Sequence, residues 1–188
     1  MLPEEIKNYR EFVTLKDGAN ILLRPMVAED EAALMEMFSQ VSDEDLRYLR
    51  DDLRDPSVIQ HWCRTLEYTK VLPLLALLKE RIVGQATLHF RKGPRRHIAE
   101  VRIYLSVEFR KRGLGTKMIK TLIDLARKQG VQILVAEIVI DQNQVIKAFQ
   151  NLGFKQVCTY EDFFMLQDGE LHDSVILTLQ LRPKMYEF

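Results

Sequence analysis

The most informative stretch of the sequence is a basic, glycine-containing segment, Leu105-Ser106-Val107-Glu108-Phe109-Arg110-Lys111-Arg112-Gly113-Leu114-Gly115-Thr116. It lies between a predicted strand and a predicted long amphipathic helix. Glycine lets a backbone approach a ligand closely, and the first-turn N–H groups of a helix attract anions together with the helix dipole. Arg110, Lys111 and Arg112 add positive charge at the same place. The segment therefore indicates a pyrophosphate site, and the alternative is a solvated turn that the glycines only shape.

The residues after this segment continue as alternating helix and strand. Apolar side chains recur at helical spacing from Leu114 to Ala126, and Gly130 ends that helix. The next run is almost entirely apolar, which is typical of a strand covered on both faces. The elements predicted here are a helix over 113–129, a strand over 131–140, a helix over 145–152, and strands over 154–160 and 174–181.

The residues before the segment predict a hairpin, three helices and a meander of strands. Asp17-Gly18 between two apolar runs is a strong hairpin signal, and Ser42 is a suitable N-cap with Asp45 three residues on. The elements predicted here are strands over 12–15 and 21–23, helices over 28–40, 42–53 and 56–66, and strands over 72–78, 82–90 and 99–105. Helices and strands in this order predict a mixed α/β fold.

Composition excludes several other classes of protein. The chain has 188 residues, with 27 basic and 27 acidic side chains and a formal net charge of zero. A neutral chain of this length predicts one domain, with no overall attraction to nucleic acid or to an anionic membrane. Cys63 and Cys158 are too few and too far apart for a disulfide framework or a metal site. No apolar run approaches the length of a membrane span. We therefore expect a cytoplasmic protein without a metal.

Two motifs resemble those of the GNAT superfamily of acetyl-coenzyme A-dependent N-acetyltransferases. Residues 110–115 match its Arg/Gln-x-x-Gly-x-Gly/Ala motif, and residues 145–154 resemble its second motif, a helix ending in Leu-Gly-Phe. Leu23-Arg24-Pro25, Glu29-Asp30 and Tyr48-Leu49-Arg50 also look like the bacterial protein-lysine acetyltransferase subgroup. The resemblance covers roughly residues 12–181. It implies an N-terminal extension over 1–11 and a single acetyltransferase domain over 12–188.

The resemblance also implies a fold and a cofactor site. The fold would be a mixed, mostly antiparallel central sheet with splayed middle strands and helices on both faces. The co-substrate would be acetyl-CoA, with its pantetheine arm on backbone groups of Ile103, Tyr104 and Leu105. The remaining cofactor-binding residues implied are Arg110, Lys111, Arg112, Gly113, Leu114, Gly115, Thr116, Gln142, Asn143 and Phe149. The protein would be a monomer or a homodimer.

Two carboxylates are candidates for the general base. Strict alternation from Ala99 to Leu105 puts Glu100, Arg102 and Tyr104 on one face of a strand, and Glu137 is the one charge within 131–140. The resemblance implies Glu100 first and Glu137 second, because family members place a catalytic Glu at each position. Burial disfavours the charged form of a carboxyl and makes it a better proton acceptor. The alternative is a structural ion pair, Glu100 with Arg102 or a cross-strand pair with Glu137.

One position departs from the family pattern. Phe149 stands where many members have a Tyr that protonates the leaving thiolate. A coenzyme A thiolate can leave unaided, because thiols have a pKa near 8.5 in water, or Tyr104 or Cys158 supplies the proton. The departure also admits a second class of function, a coenzyme A-binding regulatory module without turnover. A nucleotide-binding domain of another kind is disfavoured, because no ribose-reading acid sits in the expected context.

The acceptor is predicted from charge. Between residues 42 and 55 the chain carries six acidic and three basic side chains. The resemblance implies that this region walls the acceptor site, and an acidic wall attracts cationic amines. A primary amine is therefore expected as acceptor, a protein lysine first and a polyamine or other small amine second. The basic turn over 91–96 is expected to be a solvated hairpin tip.

Overall fold

The computed structural model describes residues 3–166 and 168–181. Within them the chain forms six α-helices and eight strands. In chain order these are α1 (Pro3–Lys7), β1 (Glu11–Thr14), β2 (Asn20–Pro25), α2 (Glu31–Ser39), α3 (Asp43–Leu46), α4 (Pro56–Arg64), β3 (Val71–Leu78), β4 (Arg81–Phe90), β5 (Ile98–Leu105), α5 (Leu114–Lys128), β6 (Ile133–Val139), α6 (Asn143–Asn151), β7 (Lys155–Met165) and β8 (Leu171–Gln180). The strands follow the order β1-β2-β3-β4-β5-β6-β8-β7.

The sheet is mixed, as the sequence predicted. β1 with β2, β2 with β3, β6 with β8 and β7 with β8 pair antiparallel, whereas β5 and β6 pair parallel. The parallel ladder joins Ile98–Glu100 to Ile133–Val135 and ends there, although β5 runs on to Leu105 and β6 to Val139. The sequence predicted splayed middle strands, and two strands that splay stop pairing part of the way along their length.

The chain divides into two compact units. The first unit contains Met1–Thr87 and Arg102–Ile119, and the second contains Leu88–Val101 and Lys120–Phe188. β4, β5 and α5 each contribute residues to both units.

The core of the first unit lies between β3 and the early helices. Leu72, Leu74 and Leu75 are fully buried although they are near neighbours along one strand, so both faces of β3 are covered. Against it pack apolar side chains of α2, α3 and α4, namely Leu34, Met37, Phe38, Leu46, Ile59 and Cys63. The hairpin of β1 and β2 turns at Gly18, whose φ of +87° only glycine adopts without strain.

The helix predicted over 42–53 is wrong. Ser42 caps α3 as expected, accepting from the Asp45 N–H at 3.1 Å, but α3 ends at Leu46. The chain then closes a loop in which Arg54 donates to the Val41 carbonyl at 2.7 Å, and Asp52 accepts from the Arg54 N–H. Side chain-to-backbone bonds of this kind compete with the helical ladder. Leu53 lies outside any helix, yet it is buried in the same apolar cluster as the side chains of α2, α3 and α4.

In the second unit, β6 is the interior strand and β7 is the edge. Leu134 and Ala136 of β6 are buried, and so is Leu177 of β8. β7 and β8 extend beyond the predicted ranges. Of the two register shifts in their ladder, the one between Tyr160 and Phe164 accommodates Glu161 and Asp162. Val157, Phe163 and Met165 of β7 are exposed. Across the two described ranges of the chain, no helix has the length and apolar character needed to cross a bilayer.

Candidate functional site

The glycine-containing segment forms a tight connection from β5 to α5 in the first unit. A short 3-10 turn, Val107–Phe109, follows β5, and α5 begins at Leu114. Two residues of the connection have left-handed backbone, Lys111 with φ of +60° and Gly113 with φ of +89°. A side chain at Gly113 would be strained there. The position therefore selects glycine for the conformation of the backbone.

Gly115 is selected for a different reason, which is close packing. A Cβ on Gly115 would lie 3.3 Å from Leu105 Cδ1 and 3.7 Å from Ile103 Cδ1. Gly84 of β4 also lies against Leu105, and a Cβ there would be 2.6 Å from Leu105 Cδ2. Sequence analysis missed Gly84; its only signal was a glycine inside an apolar strand, which marks a close approach. The start of α5 therefore packs closely on β4 and β5, because Gly84 and Gly115 have no Cβ that would contact Leu105.

The start of α5 presents a group of backbone donors. The first intrahelical bond runs from the Lys117 N–H to the Gly113 carbonyl at 3.2 Å. The N–H groups of the first helical residues have no acceptor within a helix, and the dipole adds partial positive charge. We call residues 113–116 the anion cradle. Gly113 and Gly115 carry no side chains, and a group of backbone donors at the start of a helix is the kind of site that binds phosphate groups.

Arg110 does not point its guanidinium into open solvent. Nη1 and Nη2 donate to the two carboxylate oxygens of Asp45 at 2.9 and 2.6 Å, and Nε donates to the Leu105 carbonyl at 3.0 Å. The guanidinium also lies 5.7 Å from the centre of the Tyr104 ring. The hydrogen bonds to Asp45 raise the pKa of Arg110, against the opposing effect of burial. Arg110 is thus bound within the protein, and sequence analysis did not identify Asp45 as its partner.

A second contact joins the glycine-containing segment to the β1–β2 turn, through Arg112 and Asp17. Arg112 Nε donates to Asp17 in the β1–β2 turn, and its guanidinium lies 4.6 Å from the Phe109 ring centre. The hydrogen bond from Arg112 lowers the pKa of Asp17. Lys16 was not among the predicted site residues, yet its side-chain carbons lie 3.8 Å from the Cβ position of Gly113. The exposed side chain of Lys16 therefore adds a cation beside the cradle.

The end of β5 supplies the other predicted contacts. Ile103 and Leu105 pack against the start of α5, while Tyr104 lies on the apolar cluster with its ring centre 5.5 Å from that of Phe38. Burial, together with the nearby charge of Asp45, raises the pKa of Tyr104. Tyr104 therefore keeps its proton at neutral pH and is a weaker acid than a free tyrosine. The Leu105 carbonyl, expected to meet the pantetheine arm, already accepts from Arg110.

The two candidate bases lie in the second unit. Glu100 is only 8% exposed. Arg91 lies in the turn that follows β4, and its Nη2 is 3.6 Å from Oε2 of Glu100. Glu137 is half-buried in β6, opposite Ile176 of β8. Sequence analysis proposed Arg102 as the ion-pair partner of Glu100, and it missed Arg91. The sequence does show that Arg91 directly follows β4, the strand that precedes β5 and Glu100 along the chain.

Gln142, Asn143 and Phe149 also lie in the second unit; Gln142 is the N-cap of α6, and the other two are within it. The Gln142 carbonyl accepts the first bonds of the helix, from Val145 at 2.9 Å and Ile146 at 3.1 Å, and Asn143 is the first helical residue. Phe149 is 4% exposed, and its ring meets that of Phe154 edge-on at 5.0 Å. The ring of Phe149 is therefore part of the core of this unit.

The acidic region after α2 keeps part of its charge at the surface. Asp45 is paired with Arg110, Asp43 with Arg54, and Asp55 caps α4. Glu44, Asp51 and Asp52 are exposed. These three carboxylates give the region a negative surface in the first unit. Throughout residues 3–166 and 168–181, His, Cys, Asp and Glu form no group of three or more that could hold a metal ion.

Comparison with known proteins finds one matching family. The family model for the acetyltransferase (GNAT) family matches residues 32–154. The [ribosomal protein bS18]-alanine N-acetyltransferase of Escherichia coli K12 is 27% identical over 79 residues, which are 42% of this chain and 53% of that protein. The chain thus spans about half the length of the curated relatives it matches.

Solved structures share the fold. The GNAT domain of S. lividans PAT has a TM-score of 0.78 at 20% identity, covering 96% of this chain and 99% of that one. The yncA structure from Salmonella typhimurium, with its cofactor acetyl-CoA, has a TM-score of 0.74 at 22% identity, covering 89% and 98%. At these identities the likeness concerns the fold.

Proposed function

Because this chain belongs to the acetyltransferase (GNAT) family, we propose that it transfers acetyl from acetyl-CoA to a primary amine of a protein, a lysine first. The observation that carries the proposal is the anion cradle. Gly113 has a left-handed backbone, and Gly115 packs where any Cβ would press on Leu105. A short loop without these constraints would not need glycine at either position.

The cradle accounts for binding of the co-substrate. N–H groups of residues 113–116 hold the pyrophosphate, and the exposed Lys16 adds a cation beside it. Backbone groups of Ile103 and Tyr104 hold the pantetheine arm, with Gln142 and Asn143 as further contacts. Arg110 does not bind the co-substrate in this proposal, because its guanidinium donates to Asp45 and to the Leu105 carbonyl. It stabilises the segment that leads into the cradle. When bound, acetyl-CoA supplies the acetyl group as a thioester.

The proposed chemistry needs one base and one leaving group. Glu100 takes a proton from the ammonium, directly or through a water, and the amine nitrogen then attacks the thioester carbonyl. A C–N bond forms, the C–S bond breaks, and coenzyme A leaves as a thiolate; the second proton of the nitrogen passes to the thiolate or to solvent. Backbone N–H groups polarise the carbonyl oxygen. Glu137 is the second candidate for the base, and Tyr104 or Cys158 is a proton donor to the thiolate if one is needed.

The acceptor follows from surface charge. Glu44, Asp51 and Asp52 are exposed in the region proposed as the acceptor wall. Such carboxylates raise the local concentration of a cationic amine and speed its association. A lysine side chain fits this wall, and so does a protonated N-terminus. The E. coli relative is named for an alanine N-acetyltransferase activity, so the N-terminal amine of a protein is the second candidate acceptor.

Phe149 supports one rival function, a coenzyme A-binding module without turnover. Its ring has no proton to donate, and it is buried against Phe154. Thiol release distinguishes the two functions, since a binding module consumes no acetyl-CoA.

The test combines binding with turnover. Acetyl-CoA affinity is measured by calorimetry, and thiol release is followed with three acceptors: a blocked peptide with one lysine, a peptide with a free N-terminal alanine, and spermidine. We expect binding, and release that is fastest with the lysine peptide. Binding with no release from any acceptor favours the regulatory module. Absence of acetyl-CoA binding by the folded protein contradicts the proposal.

A further inference from the structure

The side chain of Arg110 connects two segments that are distant in sequence. Its two terminal nitrogens donate to the two oxygens of Asp45 at 2.9 and 2.6 Å, across 65 positions of the chain. Its third nitrogen donates to the Leu105 carbonyl at 3.0 Å, at the end of β5. Bidentate pairs between arginine and carboxylate fix orientation as well as distance. The geometry of Arg110 is therefore set from both sides.

The surroundings make this pair stronger than an ordinary surface contact. The Arg110 side chain is 37% exposed and that of Asp45 only 20%, so both charges have lost part of their hydration. The ring of Tyr104 lies beneath the guanidinium at 5.7 Å. Partial burial reduces screening by solvent and salt. Breaking the pair would leave a half-buried carboxylate without its cation.

Asp45 is firmly part of α3. Its backbone N–H donates to the Ser42 hydroxyl at 3.1 Å, and the next residue, Leu46, is buried in the apolar cluster. A displacement of Asp45 is therefore a displacement of α3. At the other end of the pair, Arg110 lies in the connection that leads into the anion cradle, three residues before Gly113. One side chain thus joins α3 to the cradle.

We propose that Arg110 is a positioning residue, which through Asp45 transmits ligand binding at the anion cradle to α3. This inference rests on the proposed function, in which the cradle binds the co-substrate and the region of α3 walls the acceptor site. Acetyl-CoA and the acceptor then influence each other's affinity. Such a coupling is reciprocal, so each ligand changes the affinity of the other by the same factor. The pyrophosphate itself is held by backbone N–H groups and not by the Arg110 guanidinium.

Amide hydrogen exchange tests the transmission directly, with free coenzyme A as the probe. Peptides covering residues 111–117 report on the cradle, and peptides covering 43–50 report on α3 and the turn after it. In the unchanged protein, saturating coenzyme A should slow exchange in both segments. For α3 the expected slowing is about fivefold or more, the usual lower range of coupling between two sites.

Three variants separate the pair from the rest of the loop. Asp45→Asn removes the charge and keeps the size, and Arg110→Lys keeps the charge and removes the bidentate geometry. Asp17→Asn is the matched control, because it breaks the other carboxylate–arginine contact of the same loop, that of Arg112. We expect coenzyme A to slow exchange at 111–117 in all three variants. At 43–50 we expect slowing in Asp17→Asn and little or none in Asp45→Asn and Arg110→Lys.

The outcomes distinguish this inference from the proposed function. Slowing at 111–117 without slowing at 43–50 in the unchanged protein overturns the coupling and leaves the proposed function standing. Equal slowing at 43–50 in Asp45→Asn also overturns it. No slowing at either segment overturns both. A second readout is kinetic: with the lysine peptide, Arg110→Lys should raise the acceptor KM severalfold, and its Asp17→Asn control should not.

Discussion

At the scale of single residues, the cradle depends on two glycines that are required for different reasons. Gly113 is required for its backbone angle, and Gly115 for the space beside Leu105. The distinction can be tested, because Gly130 has a similar left-handed φ of +78° with open space around it. Gly130 is thus a natural control for backbone strain alone.

The first prediction compares these glycines. Gly113→Ala and Gly130→Ala should each destabilise the protein by about 1–2 kcal/mol, the cost of a side chain in left-handed backbone. Only Gly113→Ala should weaken acetyl-CoA binding, because its methyl group enters the cradle, and Gly115→Val should abolish it. Denaturant unfolding and calorimetry measure the two effects. Unchanged affinity in folded Gly115→Val would show that the cradle is elsewhere.

The second prediction concerns the base. Glu100→Gln should lower kcat by roughly 10²–10⁴-fold, the usual contribution of a general base, while acetyl-CoA affinity stays within twofold. Glu137→Gln serves as the comparison, and a larger loss there would move the role to Glu137. Arg91→Gln tests the ion pair seen at 3.6 Å. A loss of stability in Glu100→Gln with an unchanged rate would mean that Glu100 is only the partner of Arg91.

At the scale of secondary structure, the sequence predicted the elements whose signals are local. The helix after the cradle was predicted over 113–129 and is Leu114–Lys128, because its apolar stripe and final glycine are both read within one element. The helix predicted over 42–53 failed, because Arg54 reaches back to the Val41 carbonyl, a contact that periodicity does not reveal. Likewise, the Arg110–Asp45 pair depends on tertiary structure and has no signal in either local segment.

The third prediction belongs to the acidic region that follows α3. Changing Asp51 and Asp52 together to Asn should raise the acceptor KM severalfold and leave acetyl-CoA affinity unchanged, because the variant reduces attraction of a cationic amine. Added salt should reproduce the rise in the unchanged protein. Glu36→Gln with Glu80→Gln is the control, since it removes the same charge from other exposed positions. A KM equal to that of the control pair would reject the acidic wall.

The fourth prediction uses the N-cap of α4. Asp55 accepts from the Ser57 N–H at 2.8 Å, and this bond lowers the pKa of Asp55 from its ordinary value of 3.8. A lowered folded pKa stabilises the protein above the unfolded pKa, and the contribution is lost as pH falls through the folded value. Asp55→Ala should therefore lower Tm at pH 5–7, with a difference that shrinks below pH 3.8. Asp51→Ala, which removes no cap, should show no such pH-dependent difference in Tm.

At the scale of the whole molecule, the fold class and the mixed sheet were predicted correctly, and the family model agrees with the motifs in residues 110–115 and 145–154. The acceptor could not be read in the same way. A backbone cradle requires glycine at particular positions, and these can be recognised in the sequence. An acceptor surface is formed by charged side chains, which also occur at exposed positions without any function. The domain boundaries at 11 and 12, and the roles of Glu100 and Glu137, stay predictions.

The fifth prediction is a stability effect of the ligand. A ligand that binds only the folded state adds about 2.7 kcal/mol when present at 100 times its Kd. For a chain of this size that corresponds to a rise in Tm of roughly 5–10 °C. We expect this rise with acetyl-CoA in the unchanged protein and in Gly130→Ala, and none in Gly115→Val. Scanning calorimetry measures it, and a rise in Gly115→Val equal to that of the unchanged protein would contradict the role of the cradle.

The parallel ladder of β5 and β6 also bears on how the chain folds. The hairpins β1–β2 and β7–β8 join neighbours in sequence, so each closes a short loop at little entropic cost. Ile98 and Ile133, in contrast, are separated in the sequence by the whole of α5, so their pairing closes a much longer loop. Contacts between distant residues slow the search for the native state. We therefore expect both hairpins to acquire protection early in refolding, and the β5–β6 junction to be among the last parts of the molecule to become native.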